Sequence, residues 1–258
     1  MKNSVLKMIK FVPLIYAAYK RITDYRLRKK IDDFQTSRFR YFTVATNMPS
    51  HTFAQLSAKY GSDKDTVEGA HSPYVWPAHT YGTFYEFMFR DHRSEVKYVF
   101  ECGIGSNNSS LASNMGEDGK PGASLRLWLE YFPSCKVYAG DIDLKSLITE
   151  DRIQSFQLDQ TNPQSIKLFW EKIPNIKFEL MIDDGLHNVN AGITLLLNSI
   201  HKLSPDGIYI IEDVSVNDLE TYSKQLSDHD IVHYFVSLHR DKEYGFDNNL
   251  IVIRQNEQ

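Results

Sequence analysis

The sequence predicts an α/β fold, a doubly wound and mostly parallel seven-stranded sheet that closes in an antiparallel hairpin. Three observations carry this. An apolar run, Tyr98-Val99-Phe100, stops abruptly in Glu101-Cys102-Gly103-Ile104-Gly105. This reads as a strand entering a tight turn whose two glycines can take positive φ and let a ligand approach the backbone. Beyond it, short apolar runs alternate with segments of helical period. The last two apolar runs are separated by a charged loop too short for a crossover helix, so they read as an antiparallel pair.

The elements follow in order. Residues 123–132 space Leu125, Leu127, Trp128 and Tyr131 as a helix does, and Pro133 ends it. A second strand, residues 136–139, closes in Gly140-Asp141-Ile142-Asp143, and a third, residues 153–158, in Asp159-Gln160. A helix over 163–172 leads to a fourth strand, 178–182, ending in Asp183-Asp184-Gly185. A helix over 191–203 and the turn Ser204-Pro205-Asp206-Gly207 precede a fifth strand, 208–211, ending in Glu212-Asp213. Residues 231–238 and 249–254 form the hairpin.

A chain of 258 residues with 42% hydrophobic content suits one large domain with appendages. We divide it into a basic, helical N-terminal arm, residues 1–50, and a main domain, residues 51–258. Cys102 and Cys135 show no paired framework and read as reduced, buried small hydrophobes of a cytoplasmic protein. The net charge of −4 argues against nucleic-acid binding, although residues 1–30 hold nine Lys or Arg against Asp24 alone. Lys7 and Lys10 interrupt the arm's apolar stretch well short of the roughly 20 residues that cross a bilayer. They also break any signal-peptide pattern. The arm therefore reads as a helix packed on the domain or on another subunit of a homo-oligomer, or as an amphipathic segment on the anionic inner face of the membrane.

The glycine turn has Asn108 where a dinucleotide fingerprint wants its third glycine, which weakens a nicotinamide reading. What remains, acid-x-Gly-x-Gly after a strand, resembles motif I of the class I S-adenosylmethionine (SAM) methyltransferases. Five β-α units followed by an antiparallel hairpin resemble their Rossmann-like fold. Each predicted parallel strand ends in acid: Glu101, Asp141, Asp159, Asp184 and Glu212-Asp213. One such acid is as easily a helix cap; five at a single sheet edge, where open α/β sheets bind ligands, are harder to dismiss. SAM presents hydrogen-bond donors, and carboxylates suit it. Asp141, with Asp143 as rival, is placed for the ribose; Asp159, beside Gln160, for the adenine amine; and Glu101 with Gly103 and Gly105 for the methionine part.

Asp183-Asp184-Gly185-Leu186-His187 and Glu212-Asp213 bring carboxylates from adjacent strand ends into an oxygen-rich cluster suited to Mg²⁺. Such an ion lowers the pKa of a substrate hydroxyl and fixes its oxygen. His187 could then take the proton. Taken singly, it reads as a helix-start or core histidine.

Together the residues resemble a family. Tyr60-Gly61-Ser62-Asp63-Lys64, His79-x-Tyr81-x-x-x-Tyr85, Gly103-x-Gly105, Gly122-Ala123-Ser124-Leu125-Arg126-x-Trp128, Leu158-Asp159-Gln160, Asp183-Asp184-Gly185-x-His187 and Ile211-Glu212-Asp213 look like the metal-dependent sugar O-methyltransferases of macrolide biosynthesis. Cephalosporin hydroxylase-like proteins and bacterial polysaccharide methyltransferases are relatives. The resemblance spans roughly residues 53–253. It implies Asp184, Glu212 and Asp213 as metal ligands, His187 as general base, and Tyr60, Ser62 and Lys64 closing the SAM pocket, to which Ser124 and Asp183 also belong. Leu186 departs from a common Ser, and Pro121 from a Gly. Residues 106–120, rich in Ser, Asn and Gly, read as a mobile lid. Tyr74 and Trp76 are placed to line an acceptor site, although Trp76 beside Pro77 could equally anchor a loop.

The expected activity is methyl transfer from SAM, assisted by Mg²⁺, to a hydroxyl of a nucleotide sugar, a surface glycan or a glycosylated metabolite. Two rivals stand beside it: a hydroxylase-like relative using the same pocket, and a non-catalytic SAM-binding subunit of a membrane complex.

Overall fold

The computed structural model describes residues 41–45, 52–67, 70, 74, 76–229, 231–239 and 247–254. Its strands are β1 (Tyr41–Ala45), β2 (Tyr98–Cys102), β3 (Lys136–Asp141), β4 (Thr149–Glu150), β5 (Ile153–Gln157), β6 (Phe178–Asp183), β7 (Leu203–Ile211), β8 (His233–His239) and β9 (Asn249–Ile253). Its α-helices are α1 (Thr52–Tyr60), α2 (Tyr81–Phe89), α3 (Ala123–Tyr131), α4 (Pro163–Glu171), α5 (Val189–Ser199) and α6 (Leu219–Asp228). All described strands join one sheet in the order β1-β8-β9-β7-β6-β2-β3-β5-β4.

The expected seven strands form the centre of that sheet. β2 pairs in parallel with β3 and β6, and these in turn with β5 and β7. β9 runs antiparallel to both β7 and β8, which is the expected terminal hairpin. Two edge strands add to the expected seven: β4 pairs antiparallel with β5, and β1 pairs in parallel with β8. β1 falls within residues 1–50, and its residues extend the sheet. The rest of the arm lies outside the described residues. Among the described residues, no helix is long and apolar enough to cross a membrane.

The central strands are continuous apolar runs because helices cover both faces of the sheet. Val99, Phe100, Leu180, Met181, Ile182, Tyr209 and Ile210 are all fully buried. Asn caps start two of the covering helices. The Asn162 side chain accepts from the backbone N–H groups of Gln164 and Ser165, and Pro163 occupies the first turn of α4. The Asn188 side chain accepts from Asn190 and Ala191. That cap begins α5 two residues earlier than the apolar spacing predicts, which leaves His187 in the turn before the helix. α5 also ends earlier, at Ser199, and β7 absorbs the predicted turn at 204–207 with a register shift opposite Phe178 to Leu180.

α1 and α2 were not legible as helices. An aromatic cluster docks them: the Phe53 ring stacks on Tyr85 at 5.2 Å and meets Trp128 and Tyr131 of α3 at the same distance. These contacts fix the start of α2 and the preceding loop over the carboxyl ends of β2, β6 and β7.

The turn after β2 passes close to the backbone that follows β6. Gly103 has φ +95, and a Cβ there would lie 2.0 Å from the carbonyl oxygen of Asp184. Gly103→Ala is therefore expected to cost about 2–5 kcal/mol, combining backbone strain with overpacking. A urea midpoint unchanged from the parent protein would refute this close approach.

Candidate active site

A cleft of about 400 Å³ opens at this edge, between the Gly103–Gly105 turn and the ends of β6 and β7. On one side its wall is backbone from the glycine turn together with Ser124 at the start of α3. Asp141 is brought to that turn from β3: its Oδ2 accepts from Ile104 N at 2.8 Å and its Oδ1 from Asp143 N at 2.8 Å. The Gly105 backbone N–H also bears on this carboxylate, and Asp141 braces the turn without itself lining the cleft. Asp143 instead caps the following turn, accepting from Lys145 N at 3.0 Å and from the Ser106 hydroxyl. The segment 106–120 is braced across itself. Met115 N donates to Ser106 O at 2.9 Å and Asn107 Nδ2 to Gly119 O at 3.0 Å.

The other side of the cleft is acidic. Asp184, His187 and Asp213 each offer a ligand atom, and these atoms lie within 4.8 Å of one another. His187 Nε2 is 3.4 Å from Asp184 Oδ1 and 3.3 Å from Asp213 Oδ2. Asp213 Oδ1 accepts from the Tyr81 hydroxyl at 2.6 Å and pairs with His79 Nε2 at 3.0 Å, and the His79 and Tyr81 rings stack at 4.6 Å. Among the described residues, His187 and Asp213 are the only non-glycine residues with positive φ, each at 54. Strain at two facing residues of one cluster is the kind that a functional site retains.

Lys64 lies behind this cluster, 1% exposed. Its ammonium is 2.6 Å from Asp184 Oδ2, 3.2 Å from Glu101 Oε1 and in direct contact with Glu212 Oε2. Glu212 Oε1 accepts from the Tyr85 hydroxyl at 2.7 Å. Burial opposes the charge on Lys64, but Asp184, Glu212 and Glu101 outweigh it and hold the amine protonated. One ammonium facing three carboxylates leaves negative charge uncompensated, and burial accordingly pushes Glu101 and Glu212 above the usual carboxylate range.

The histidines respond to the same excess. Burial works against the His187 imidazolium, yet Asp213 and Asp184 raise its pKa to about 10. With 34% of its side chain facing the cleft, water softens both effects. His79 behaves likewise and is raised to about 10, with burial again overcome by Asp213. Asp184 and Asp213 bring carboxylate oxygens together beside the His187 ring, and carboxylate oxygens are the donors that a hard divalent ion takes.

Several expected site residues lie elsewhere. Glu101 does not face the cleft: it is fully buried below the turn, accepting from Trp128 Nε1 at 2.7 Å. Asp183 is also buried, and burial raises its pKa to about 6. Gln160 donates to it at 3.0 Å and accepts from Leu186 N at 2.7 Å, so the two brace the turn that carries Asp184 and His187. Asp159 accepts from Thr161 N and Oγ1, and the Tyr60 hydroxyl donates to Glu130 at 2.5 Å; neither residue lines the cleft. Ser62 and Lys64 do line it. His79, in the loop before α2, and Tyr81 and Tyr85 of α2 belong to the family pattern but had no assigned role in the expected site. The spacing of Tyr81 and Tyr85, one helical turn apart, carried a signal: it puts both hydroxyls on one face, and they reach the consecutive acids Asp213 and Glu212.

Several known proteins are similar to this chain. Over 164 residues, 64% of this chain and 38% of the relative, the chain is 32% identical to 8-demethyl-8-alpha-L-rhamnosyl tetracenomycin-C 2'-O-methyltransferase of Streptomyces olivaceus. It is 31% identical over 159 residues to mycinamicin VI 2''-O-methyltransferase of Micromonospora griseorubida, covering 60% of the chain and 37% of that relative. Over these regions the chain is similar to sugar O-methyltransferases. It spans about two fifths of the length of these curated relatives, as shown by the covered shares of 38% and 37%. Among solved structures, MycE methyltransferase in complex with Mg and SAH, the demethylated product of SAM, superposes with a TM-score of 0.56 at 21% identity. That match covers 80% of this chain and 55% of the other. It shows the Rossmann-like methyltransferase fold. No protein-family model matches the chain.

Proposed function

We propose that the protein transfers a methyl group from SAM to a hydroxyl of a sugar, with a divalent ion such as Mg²⁺ held at the acid cluster. The observation that carries this reading is that Asp184, His187 and Asp213 converge in the same cleft as the Gly103–Gly105 turn. The relatives, O-methyltransferases of an alpha-L-rhamnosyl tetracenomycin-C and of mycinamicin VI, make a glycosylated small molecule the first acceptor class to test.

The chain's own residues divide the work. The glycine turn lets the cofactor approach the backbone, and Asp141 accepts from its ribose hydroxyls. Asp184 and Asp213 are the carboxylates that would hold the ion, with Glu212, whose oxygens keep lone pairs beyond Lys64 and Tyr85, as the third. When bound, the ion supplies the positive charge that acidifies an acceptor hydroxyl. His187, between Asp184 and Asp213, is placed to take the hydroxyl proton once another cation takes over its neutralising role at those carboxylates. Tyr81 and His79 orient Asp213, and Gln160 with Asp183 orients the turn that carries Asp184. Residues 1–30 supply a basic contact for another subunit of a homo-oligomer or for an anionic membrane surface.

Calorimetry is expected to show SAM and its demethylated product binding, and NAD not binding. Tight NAD binding without SAM binding would sink the reading. Methyl transfer to a panel of glycosides, followed with methyl-labelled SAM, is expected to stop in excess chelator. Oxygen incorporation into the product in place of methyl would favour the hydroxylase-like alternative.

A further inference from the structure

Two aromatic rings stand in the cleft beside the acid cluster. Tyr74 and Trp76 both line it, with ring centroids 4.9 Å apart and planes inclined by 31°. Trp76 Nε1 donates to Asp63 Oδ2 at 2.8 Å, and the Tyr74 hydroxyl donates to Gly61 O at 2.9 Å. Since Nε1 is the only polar atom of the indole, its bond to Asp63 fixes the ring and leaves apolar surface to the cleft.

The position of this ring is set from the acid cluster. Asp63 immediately precedes Lys64, whose ammonium contacts Asp184 and Glu212. His79, three residues beyond Trp76, donates its backbone N–H to Asp63 O at 2.7 Å and pairs its ring with Asp213. Asp141, the residue placed for the ribose, lies at the end of β3, across β2 and β6 from β7. Through His79 the loop that carries Trp76 is tied to Asp213 at the end of β7, on the side of the sheet edge away from Asp141. A tryptophan serving only as a loop anchor would be buried, as Trp128 and Trp170 are; Trp76 stays half-buried at the cleft.

We propose that Trp76, held by Asp63, is the platform on which the acceptor's sugar ring stacks, and that it selects pyranosides as acceptors. This rests on the sugar methyltransferase reading and names the residue that recognises the sugar. One face of a pyranose is a patch of C–H groups, and covering it with a flat ring removes apolar surface from water on both sides. The hydroxyls project from the edge of the sugar, so a stacked ring can still present one of them to Asp184, His187 and Asp213.

The test uses the full chain saturated with SAH and a panel of methyl pyranosides, beginning with methyl α-L-rhamnopyranoside. Because the other two tryptophans are buried, Trp76 dominates any change in tryptophan emission on titration. The expected results are a saturable emission change and an upfield shift of the sugar's C–H protons in NMR. Trp76→Leu is expected to weaken pyranoside binding by about tenfold or more, the loss usual for truncating an aromatic anchor, with Trp76→Phe retaining part of it. SAH affinity should stay within twofold in both variants. The proposal is overturned if no pyranoside binds, if Trp76→Leu binds one within twofold of the parent, or if SAH affinity falls in parallel, which would make the ring a wall of the cofactor site. The proton shifts are read on the parent protein and decide the matter even where Trp76→Leu does not fold. Trp76-dependent pyranoside binding without methyl transfer would keep this proposal and overturn the activity. Methyl transfer indifferent to Trp76→Leu would do the reverse.

Discussion

Asp213→Asn is expected to lower methyl transfer by about 10²–10³-fold and to weaken Mn²⁺ binding, while SAH affinity stays within twofold. The substitution keeps the shape of the side chain and removes one negative charge. That charge has several partners: Oδ1 accepts from Tyr81 and pairs with His79, and Oδ2 faces His187 at 3.3 Å. Its carboxyl lies well below the usual range: burial opposes this, but His79 and His187 outweigh it. Removing the charge leaves two imidazoliums without their shared counter-ion and takes away one of the two carboxylates that converge on the cluster. Initial rates with labelled SAM, together with calorimetric titrations of Mn²⁺ and SAH, separate the two sites. Full activity with Mn²⁺ affinity unchanged would place the ion elsewhere. The same substitution at Glu212 tests the third ligand independently, because Glu212 is held from behind by Lys64 and Tyr85.

His187→Ala is expected to slow the methyl-transfer step by about 10²–10⁴-fold, the range for losing a general base. The fold should tolerate it. The residue sits in the turn before the Asn188 cap, a third of its side chain faces the cleft, and its left-handed φ of 54 is relieved by no packing role in the core. The larger effect is expected in the single-turnover rate and not in SAH affinity, since the ring touches the acid cluster and not the glycine turn. Single-turnover rates across pH decide between roles. A variant within threefold of the parent at every pH would remove the imidazole from the mechanism and leave the carboxylates and their ion as the activators.

The sheet and the acids that end its strands are legible from the residues alone. Period-2 and continuous apolar runs report burial directly, so β2, β3, β5, β6, β7, β8 and β9 were legible. So were the acids at Asp141, Asp184 and Glu212-Asp213, because a parallel strand must deliver its last residues to one edge. The glycine turn was legible because a positive φ beside a crossing backbone leaves glycine little competition.

Which carboxylates face outward depends on contacts between distant parts of the chain. Glu101 and Asp183 occupy strand ends as Asp184 does, yet neighbours that sequence spacing cannot show turn them inward: Trp128 and Lys64 for Glu101, Gln160 for Asp183. Lys64 lies 148 residues from Glu212 in the chain, and Tyr81 lies 132 from Asp213. Contacts of that separation depend on α1 and α2 docking through Phe53 and Tyr85, and short aromatic helices on a core carry no clean period of their own. β1 was hidden for a related reason: an edge strand is specified by the partner it finds, here β8, more than by its own five residues. Strand ends bring acids to a common edge through local pattern, but the charges and donors that sort them into buried braces and open ligands arrive from distant chain.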